Sequence, residues 1–324
     1  MKTAFFQSFE DSSEREETPF RLSMVQAELR ENSLSGYLVP RSDVHQGEYV
    51  AACDERLSWL TGFTGSAGIC IVGNDRAGVF VDGRYSIQAK KQTKSPFEVT
   101  QWNKKNFLQW IEKNIVKGEI GFDPWLHSHK EINELSEAFA DTGIGFVPSD
   151  NLIDKVWLTR PHKVVSQAMS YPFKLAGLTA KDKCQQIAEI IKFKKADAAV
   201  ITLPDSIAWL LNLRGNDVIH NPILHGFLII NGKGKIKLFC SNEKILNYII
   251  DLENFVKVYP IESFETVLTE LNGSVLLDEP SMGLAPQLVE EIFNIVKDLN
   301  KKEDIINQHL QKSIFCVNSG KLVY

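Results

Sequence analysis

The stretch LSWLTGFTG (residues 57–65) occurs a second time, in altered form, as IAWLLNLRG (residues 207–215). A phrase of the form Trp-Leu-x-x-apolar-x-Gly that returns 150 residues later indicates that one domain occurs twice in the chain. We expect both tryptophans to be core anchors, because large aromatic side chains dominate the burial of apolar surface. The four matching positions are Trp59/Trp209, Leu60/Leu210, Phe63/Leu213 and Gly65/Gly215.

The elements around the two stretches repeat in the same order. Each copy is predicted to contain a helix, an apolar strand, a loop, the Trp helix and a strand hairpin, and then further helices and strands. The offset between the copies is about 163 at the first strand, 150 at the Trp helix and about 158 at the hairpin, so the loops differ in length. Helices alternating with strands, with a hairpin inside the series, predict two tandem α/β domains with mixed sheets.

The domain boundaries follow from a change in pattern. Residues 150–180 contain two prolines and little periodicity, which is typical of a connector between domains. We therefore predict a first domain over residues 1–155, a second over residues 156–300 and a short tail over residues 301–324.

The composition is that of an ordinary globular protein, with 44% hydrophobic residues, 24% charged residues and a net charge of -5. The negative charge argues against a nucleic-acid-binding protein, which would carry a basic face. Five scattered cysteines without a C-x-x-C pair favour a reducing compartment over a disulfide framework. The N-terminus lacks a signal-peptide core, and no apolar run reaches the roughly 20 residues of a membrane helix. We expect a cytoplasmic protein that contacts no membrane.

One segment suggests nucleotide hydrolysis. SVLLDEP (residues 274–280) resembles the Walker B strand of ATPases, in which Asp278 would hold Mg²⁺ and Glu279 would polarise water. That chemistry requires a G-x-x-x-x-G-K-[ST] loop upstream, and the sequence contains none. We favour a buried strand that ends at Asp278.

Two further motifs receive structural interpretations. His127 and His129 could bind a metal, but zinc needs three or four ligands and no third ligand lies nearby in the sequence. Ser66 in TGSAG (residues 64–68) lacks the G-x-S-x-G spacing of an exposed nucleophile. Its flanking glycines favour a tight passage from helix to strand.

The richest polar cluster is LRGNDVIHNP (residues 213–222), a predicted loop that leaves the second Trp helix. Arginine offers a fork for carboxylates, histidine can donate a hydrogen bond or titrate, and loops often carry functional residues. The alternative is that the arginine and the aspartate pair with each other or cap backbone groups. The corresponding TGSAG stretch of the first copy is small and neutral, so we interpret that copy as scaffold. The candidate functional residues are Arg214, Asp217, His220 and Asn221.

Five longer phrases carry a family resemblance. They are VPRSDVHQGEYVAACDERLSWLTGFTGSAGICIV (39–72), VFVDGRYSIQAKKQ (79–92), GFDPWLHS (121–128), VWLTRP (156–161) and DSIAWLLNLRGNDVIHNPILHGFLII (205–230). Together they resemble the N-terminal half of the three-domain Xaa-Pro aminopeptidases (aminopeptidase P) of the creatinase/prolidase superfamily. The resemblance extends from about Gln7 to about Leu299.

The resemblance implies two creatinase N-terminal-type domains, each a mixed β-sheet flanked by helices. In the family, a third domain holds two divalent metal ions, often Mn²⁺, on two Asp, one His and two Glu. A metal-bridged hydroxide there attacks the peptide bond before proline. No residue of this sequence matches those five ligands, so we assign no catalytic residue, metal or cofactor to it. We expect a truncated chain that is inactive alone, with residues 301–324 in place of the catalytic domain.

In the superfamily, the domain that precedes the catalytic one lies over the active-site mouth, sometimes across a dimer. The resemblance therefore implies that Arg214, Asp217, His220 and Asn221 face a peptide with proline at its second position in a complete enzyme. It also implies a homodimer or an association with a catalytic domain. One alternative is a stand-alone dimerisation or binding module without a peptidase role, and another is an independent ATPase.

Overall fold

Two β-sheets, one in each of two units, organise the chain. The computed structural model describes residues 13–245 and 254–278, together with the backbone of residues 314–318 and 321–323. The first unit comprises the residues up to Arg41, Glu55–Asp123 and Ser136–Arg160. The second unit comprises Ser42–Asp54, Pro124–Leu135 and the residues from Pro161 onward. Two segments from inside the first copy therefore pack with the second unit.

A mixed six-stranded sheet lies at the centre of the first unit. Its strands are β1 (Gly36–Pro40), β2 (Gly68–Gly73), β3 (Ala77–Val81), β4 (Phe97–Gln101), β5 (Gly118–Phe122) and β6 (Ile144–Pro148). The helices of this part of the chain are α1 (Thr18–Glu31), α2 (Arg56–Thr61), α3 (Ser86–Gln92), α4 (Lys104–Asn114), α5 (His129–Ala138) and α6 (Leu152–Val156). The strand order is β4-β3-β2-β1-β5-β6.

A seven-stranded sheet and a two-stranded sheet lie in the second unit. The strands are β7 (Met169–Ser170), β8 (Ala198–Ile201), β9 (Leu213–Arg214), β10 (Phe227–Asn231), β11 (Ile236–Phe239), β12 (Val256–Tyr259), β13 (Val275–Asp278), β14 (Ile314–Asn318) and β15 (Lys321–Val323). The helices are α7 (Phe173–Ala176), α8 (Ala180–Phe193), α9 (Pro204–Leu211) and α10 (Phe264–Thr269). The larger sheet has the order β12-β11-β10-β8-β13-β14-β15, and β7 pairs with β9.

The two large sheets share one topology over five strands. In the first, β4-β3-β2-β1-β5 pair as parallel, antiparallel, antiparallel and parallel. In the second, β12-β11-β10-β8-β13 pair in the same sequence of directions. The sheets differ at the sixth strand, because β6 is parallel to β5 whereas β14 is antiparallel to β13. This repeated order confirms the predicted pair of mixed α/β domains.

The starts of the two Trp helices differ from what the neighbouring residues predict. Asp54 is of a typical N-cap type, but α2 begins at Arg56 without a side-chain cap. Asp205 and Ser206 are of the same type, but α9 begins with Pro204 at its first position. Proline has no N–H to satisfy there and its fixed φ suits a helix start. The sequence pattern also predicts helices over residues 285–299 and near residues 242–251. The first lies wholly, and the second mostly, outside the described residues. No described helix is long and apolar enough to cross a membrane.

The apolar residues of the repeated phrase lie in the cores of their units. Leu60 and Phe63 belong to the core of the first unit, and Leu210 and Leu213 to that of the second. The two shared glycines lie where a side chain would collide with a neighbour. A Cβ on Gly65 would come within 2.2 Å of the Phe63 ring, and one on Gly215 within 2.6 Å of the Ile223 carbonyl oxygen.

The two tryptophans do not share one environment, so the expectation that both are core anchors is wrong for Trp209. Trp59 is partly buried and stacks on Trp157 with 5.3 Å between ring centroids. Trp209 is 49% exposed. The α9 helix buries Leu210 and Leu211 instead, because its apolar stripe points those side chains at the sheet.

A cation from the leading helix contacts the Trp helix in each copy. Arg21 and Lys183 are each the fourth residue of their helices, α1 and α8. Arg21 donates to the Trp59 carbonyl at 2.8 Å and lies 5.1 Å from the Trp59 ring centroid. Lys183 donates to the Trp209 carbonyl at 2.7 Å and lies 4.4 Å from that ring. The duplication therefore preserved a cation–tryptophan contact as well as the apolar phrase.

We expect Leu60→Ala and Leu210→Ala each to lower the free energy of unfolding by about 3 kcal/mol, because each removes a fully buried side chain and leaves a cavity. Trp209→Leu should cost less than about 1 kcal/mol, because its ring is half in solvent. Urea unfolding followed by circular dichroism measures all three. A loss for Trp209→Leu as large as that for Leu210→Ala would show that the exposed ring is a core anchor after all.

Candidate functional site

The predicted functional loop separates into buried and exposed residues. Arg214 turns back on the chain: its Nη1 donates to the carbonyls of Ala208 and Leu213 at 3.0 and 2.7 Å, and its guanidinium lies 4.1 Å from the Tyr171 ring centroid. Asp217 is buried. Of the structural alternative, the Arg214–Asp217 pair is not formed, but the contact with backbone groups is: Arg214 holds two carbonyls, and Asp217 accepts from the His225 backbone N–H.

His220 and Asn221 lie in a tight turn beyond Asp217. The His220 side chain is exposed and its φ is +63°, in the left-handed region. Asn221 forms an isolated bridge with Val218, and its N–H donates to the Val218 carbonyl at 3.2 Å. Of the four predicted residues, His220 is the one whose side chain is exposed, whereas Asn221 is half-buried.

Asp217 is the centre of a buried polar network. Its Oδ1 accepts from the Ser166 hydroxyl at 2.9 Å. Its Oδ2 accepts from the Lys244 ammonium at 2.6 Å and from the His225 backbone N–H at 2.7 Å. Ser166 Oγ in turn accepts from the Asn216 N–H at 2.9 Å. The carboxylate thus ties the connector, the functional loop and the segment after β11 together.

A second buried cluster lies in the same unit and was not predicted from the sequence. Asp43 and His45 come from the segment Ser42–Asp54, and His225 comes from the end of the functional loop. The Asp43 Oδ1 accepts from the N–H groups of His45 and Gly47 at 2.9 and 3.1 Å. Its Oδ2 lies 3.7 Å from His225 Nε2, beyond hydrogen-bond distance.

The rings of this cluster stack on one another. The His45 ring centroid lies 4.7 Å from that of His225 and 4.7 Å from that of Phe227. His45 Nδ1 is 3.2 Å from the Thr202 carbonyl oxygen, so the nitrogen is the donor in that contact. Among the described residues, no hydrogen-bond partner is present for Asp43 Oδ2, His225 Nε2 or the Thr202 hydroxyl. The cluster is therefore polar, buried and incompletely paired.

Burial sets the proton affinities of this cluster. It lowers the pKa of His45 well below the ordinary value, and the neighbouring His225 lowers it further. Burial also lowers the pKa of His225, against the opposing effect of Asp43. It raises the pKa of Asp43, although N–H donation from Gly47 and His45 favours the carboxylate. Both imidazoles are therefore neutral at pH 7.

The segment that supplies Asp43 and His45 accounts for a loop difference between the copies. The offset falls from about 163 at the first strand to 150 at the Trp helix, a difference of 13 residues. Ser42–Asp54 is 13 residues long and lies between those two elements. The first copy thus contains an added segment at this point. Sequence reasoning missed the cluster because its members lie about 180 residues apart and only the fold joins them.

The other candidate motifs form no catalytic centre in the described residues. His127 is buried with its Nδ1 3.4 Å from Glu131, while His129 contacts Asn133 at 2.8 Å. Ser66 shares a 2.6 Å hydrogen bond with the Tyr85 hydroxyl. Within residues 13–245 and 254–278, no three His, Cys, Asp or Glu side chains are grouped to hold a metal ion. Asp278 ends strand β13, as predicted, and Glu279 lies outside the described residues.

Sequence comparison finds two domains of one kind, one after the other along the chain. A sequence model described as the creatinase/prolidase N-terminal domain matches residues 21–156, and a second model with that description matches residues 159–312. The chain belongs to the creatinase/prolidase N-terminal domain family. It contains the domain twice, as the resemblance of its phrases implied.

The full-length relatives of this pair of domains are peptidases. The chain is 32% identical over 269 residues to a probable Xaa-Pro aminopeptidase P of Talaromyces stipitatus, with 81% of this chain and 41% of the relative covered. It is 33% identical over 259 residues to aminopeptidase P2 of Arabidopsis thaliana, with 76% and 36% covered. The chain therefore spans about two fifths of their length and corresponds to their N-terminal region.

A solved structure shows the same fold. It is the X-prolyl aminopeptidase of Caenorhabditis elegans, described as a cytosolic enzyme with a di-nuclear active site. The two chains are 28% identical, with a TM-score of 0.71 over 78% of this chain and 44% of that enzyme. The tandem creatinase/prolidase N-terminal domains of this chain are thus similar to the nematode enzyme in fold as well as in sequence.

We expect the free energy of unfolding to decrease as the pH falls from 7.5 to 5.5. Unfolded histidine titrates near pH 6.5, and the folded pKa values of His45 and His225 lie lower, so the unfolded chain binds more protons in this range. The raised pKa of Asp43 gives the opposite slope, from its ordinary pKa of about 4 up to its folded pKa. Urea unfolding across this pH range measures the slope.

The variant His45→Phe isolates the contribution of the cluster. It keeps a ring against Phe227 and should reduce the slope below pH 6.5 by up to about 1.4 kcal/mol per pH unit, the value for one proton. The matched control is His162→Phe, because His162 is exposed. Equal slopes in wild type and His45→Phe would contradict the assigned proton affinity.

Proposed function

We propose that the chain is the non-catalytic N-terminal half of an Xaa-Pro aminopeptidase. The observation that carries this proposal is the match to two creatinase/prolidase N-terminal domains, and to the N-terminal two fifths of aminopeptidase P relatives. In this proposal, a catalytic region outside this chain hydrolyses Xaa-Pro peptides. That region would also hold the two metal ions, which are Mn²⁺ by family resemblance. The proposed compartment is the cytosol, which is also the description of the nematode relative.

The proposed contribution of this chain is to the substrate side of the active site and to subunit contacts. The loop of residues 213–222 is proposed to face the peptide, with His220 as its solvent-directed donor. Asp217 supports the loop from behind through Lys244, Ser166 and the His225 N–H. Arg214 holds two carbonyls at the end of α9. These two residues are therefore proposed to position the loop.

We expect the isolated chain to release no N-terminal residue from an Xaa-Pro-Xaa peptide in the presence of Mn²⁺. A chimera in which this chain replaces the matching N-terminal 44% of the nematode enzyme should be active. Both proteins are assayed with the same peptide, with and without a chelator. Chelator-sensitive activity that co-purifies with the isolated chain would contradict the proposal. A chimera that folds and binds Mn²⁺ but is inactive would favour the stand-alone binding module.

His220→Ala in that chimera gives a sharper test of the loop. Loss of one hydrogen bond to the substrate should lower kcat/KM by about tenfold, equivalent to about 1.4 kcal/mol. The melting temperature should not change, because the side chain is exposed. The matched control is His162→Ala, an exposed histidine of the connector. An unchanged kcat/KM for His220→Ala would show that this loop does not contact the substrate. Arg214→Ala is a less specific test, because it would also remove the donor to two backbone carbonyls.

A further inference from the structure

A cleft to which no function has been assigned lies in the second unit. Its volume of about 560 Å³ falls within the roughly 300–1,000 Å³ that is typical of small-molecule sites. The start of α8 and the turn between β10 and β11 form two of its sides. Its apolar surface comes from Phe173, Leu211 and Phe255. Ser170, Thr179 and Asn212 line it as well. None of the predicted functional residues lines it.

The charges around this cleft are of one sign. Lys181, Lys233 and Lys235 line it, and no carboxylate does so among the described residues, although the chain as a whole has a net charge of -5. Lys235 is committed to the Asn254 carbonyl. Within residues 13–245 and 254–278, the ammonium groups of Lys181 and Lys233 have no hydrogen-bond or ion-pair partner. The nearby Asp182 carboxylate accepts from the Thr179 hydroxyl at 2.6 Å and does not line the cleft.

Two further cations lie directly behind the cleft wall. The buried Lys183 ammonium donates to the side-chain oxygen of Asn212 at 2.7 Å, and Asn212 lines the cleft. The Arg214 guanidinium lies 4.1 Å from the ring centroid of Tyr171, another lining residue. Cations set in a low-dielectric wall attract an anion more strongly than cations in bulk water do.

The first copy of the domain supplies an internal comparison for Lys183. Its counterpart Arg21 makes the same contact with a Trp carbonyl, but Arg21 is also paired with the Glu14 carboxylate. Lys183 contacts only uncharged oxygens, and no carboxylate pairs with it in the described part of the chain. Burial, with Arg214 nearby, lowers the pKa of Lys183. The cation of the second copy thus has no acidic partner among the described residues, unlike that of the first.

We propose that this cleft binds a small organic anion, whose charged group contacts Lys181 and Lys233 and whose apolar part packs on Phe173, Leu211 and Phe255. The β10–β11 turn is a two-strand hairpin and no Walker loop, so the proposal involves binding and no phosphate transfer. The cleft is separate from the proposed substrate loop, because no residue of the loop of residues 213–222 lines it.

Phenyl phosphate is the test ligand, with inorganic phosphate and benzyl alcohol as probes of the charge and the ring alone. Binding to the full chain is measured by NMR titration of backbone amides at 50 and 300 mM NaCl. We expect saturable shifts at Gly234, Asn212 and Ala180. Phenyl phosphate should bind at least about tenfold more tightly than inorganic phosphate or benzyl alcohol. Higher salt should weaken binding, because the lysines at the cleft are exposed to solvent.

Three variants decide whether the cleft charges are responsible. Lys181→Gln and Lys233→Gln should each weaken the binding of phenyl phosphate by about three- to fivefold, the range of exposed ion pairs. Gln185→Glu places a carboxylate in the cleft lining and should weaken binding more than either. Lys192→Gln, at the far end of α8 and exposed, is the matched control and should bind as wild type does.

Three results would overturn the proposal. One is the absence of saturable shifts at the cleft residues, and another is wild-type affinity in both Lys181→Gln and Lys233→Gln. Binding of benzyl alcohol as tight as that of phenyl phosphate would also reject it, since the cleft would then recognise the ring and not the charge.

Discussion

In each copy of the domain, one cation joins the leading helix to the Trp helix. The Trp helices are short, with six and eight residues, so the carbonyls of their last turns have few intrahelical partners. Arg21 and Lys183 supply a donor to the Trp carbonyl and lie near the indole ring. The leucine next to each tryptophan lies in the core of its unit. One charged contact in each copy therefore links the leading helix to the Trp helix beside that core, and both copies have it.

The copies diverged in what surrounds this contact. The first copy neutralises its cation with Glu14 and covers its indole with Trp157. The second leaves the Trp209 ring half exposed and Lys183 beside uncharged oxygens. The first copy also carries the added segment Ser42–Asp54, whose Asp43 and His45 pack in the second unit. A buried, partly unpaired polar cluster costs stability, and this one forms where the added segment packs with residues of the second copy.

Local patterns in the sequence predicted the order of the main strands and helices and the duplication. Two apolar runs joined by Gly73-Asn74-Asp75 predicted the β2–β3 hairpin, because apolar runs and turn residues act over short distances. The exposure of Trp209 was not predictable in this way, since it depends on which neighbours cover the ring. The Asp43–His225 cluster was also out of reach. The segment Ser42–Asp54 of the first copy packs with residues of the second copy, and this packing joins residues that are distant in the sequence. No local spacing in the sequence encodes such a contact.

The structure also changes which loop residues can act on a ligand. Asp217 was singled out for its charge, but its carboxylate is buried and accepts from three donors of the fold, so its removal should destabilise the protein. Arg214 is similarly committed to two carbonyls. Recognition requires donors that have no internal partner and reach solvent, and this condition is met by His220 on the loop and by Lys181 and Lys233 at the cleft. Because the second copy holds all three, recognition in this chain is expected to reside there, with the first copy supplying a matching scaffold and one inserted segment.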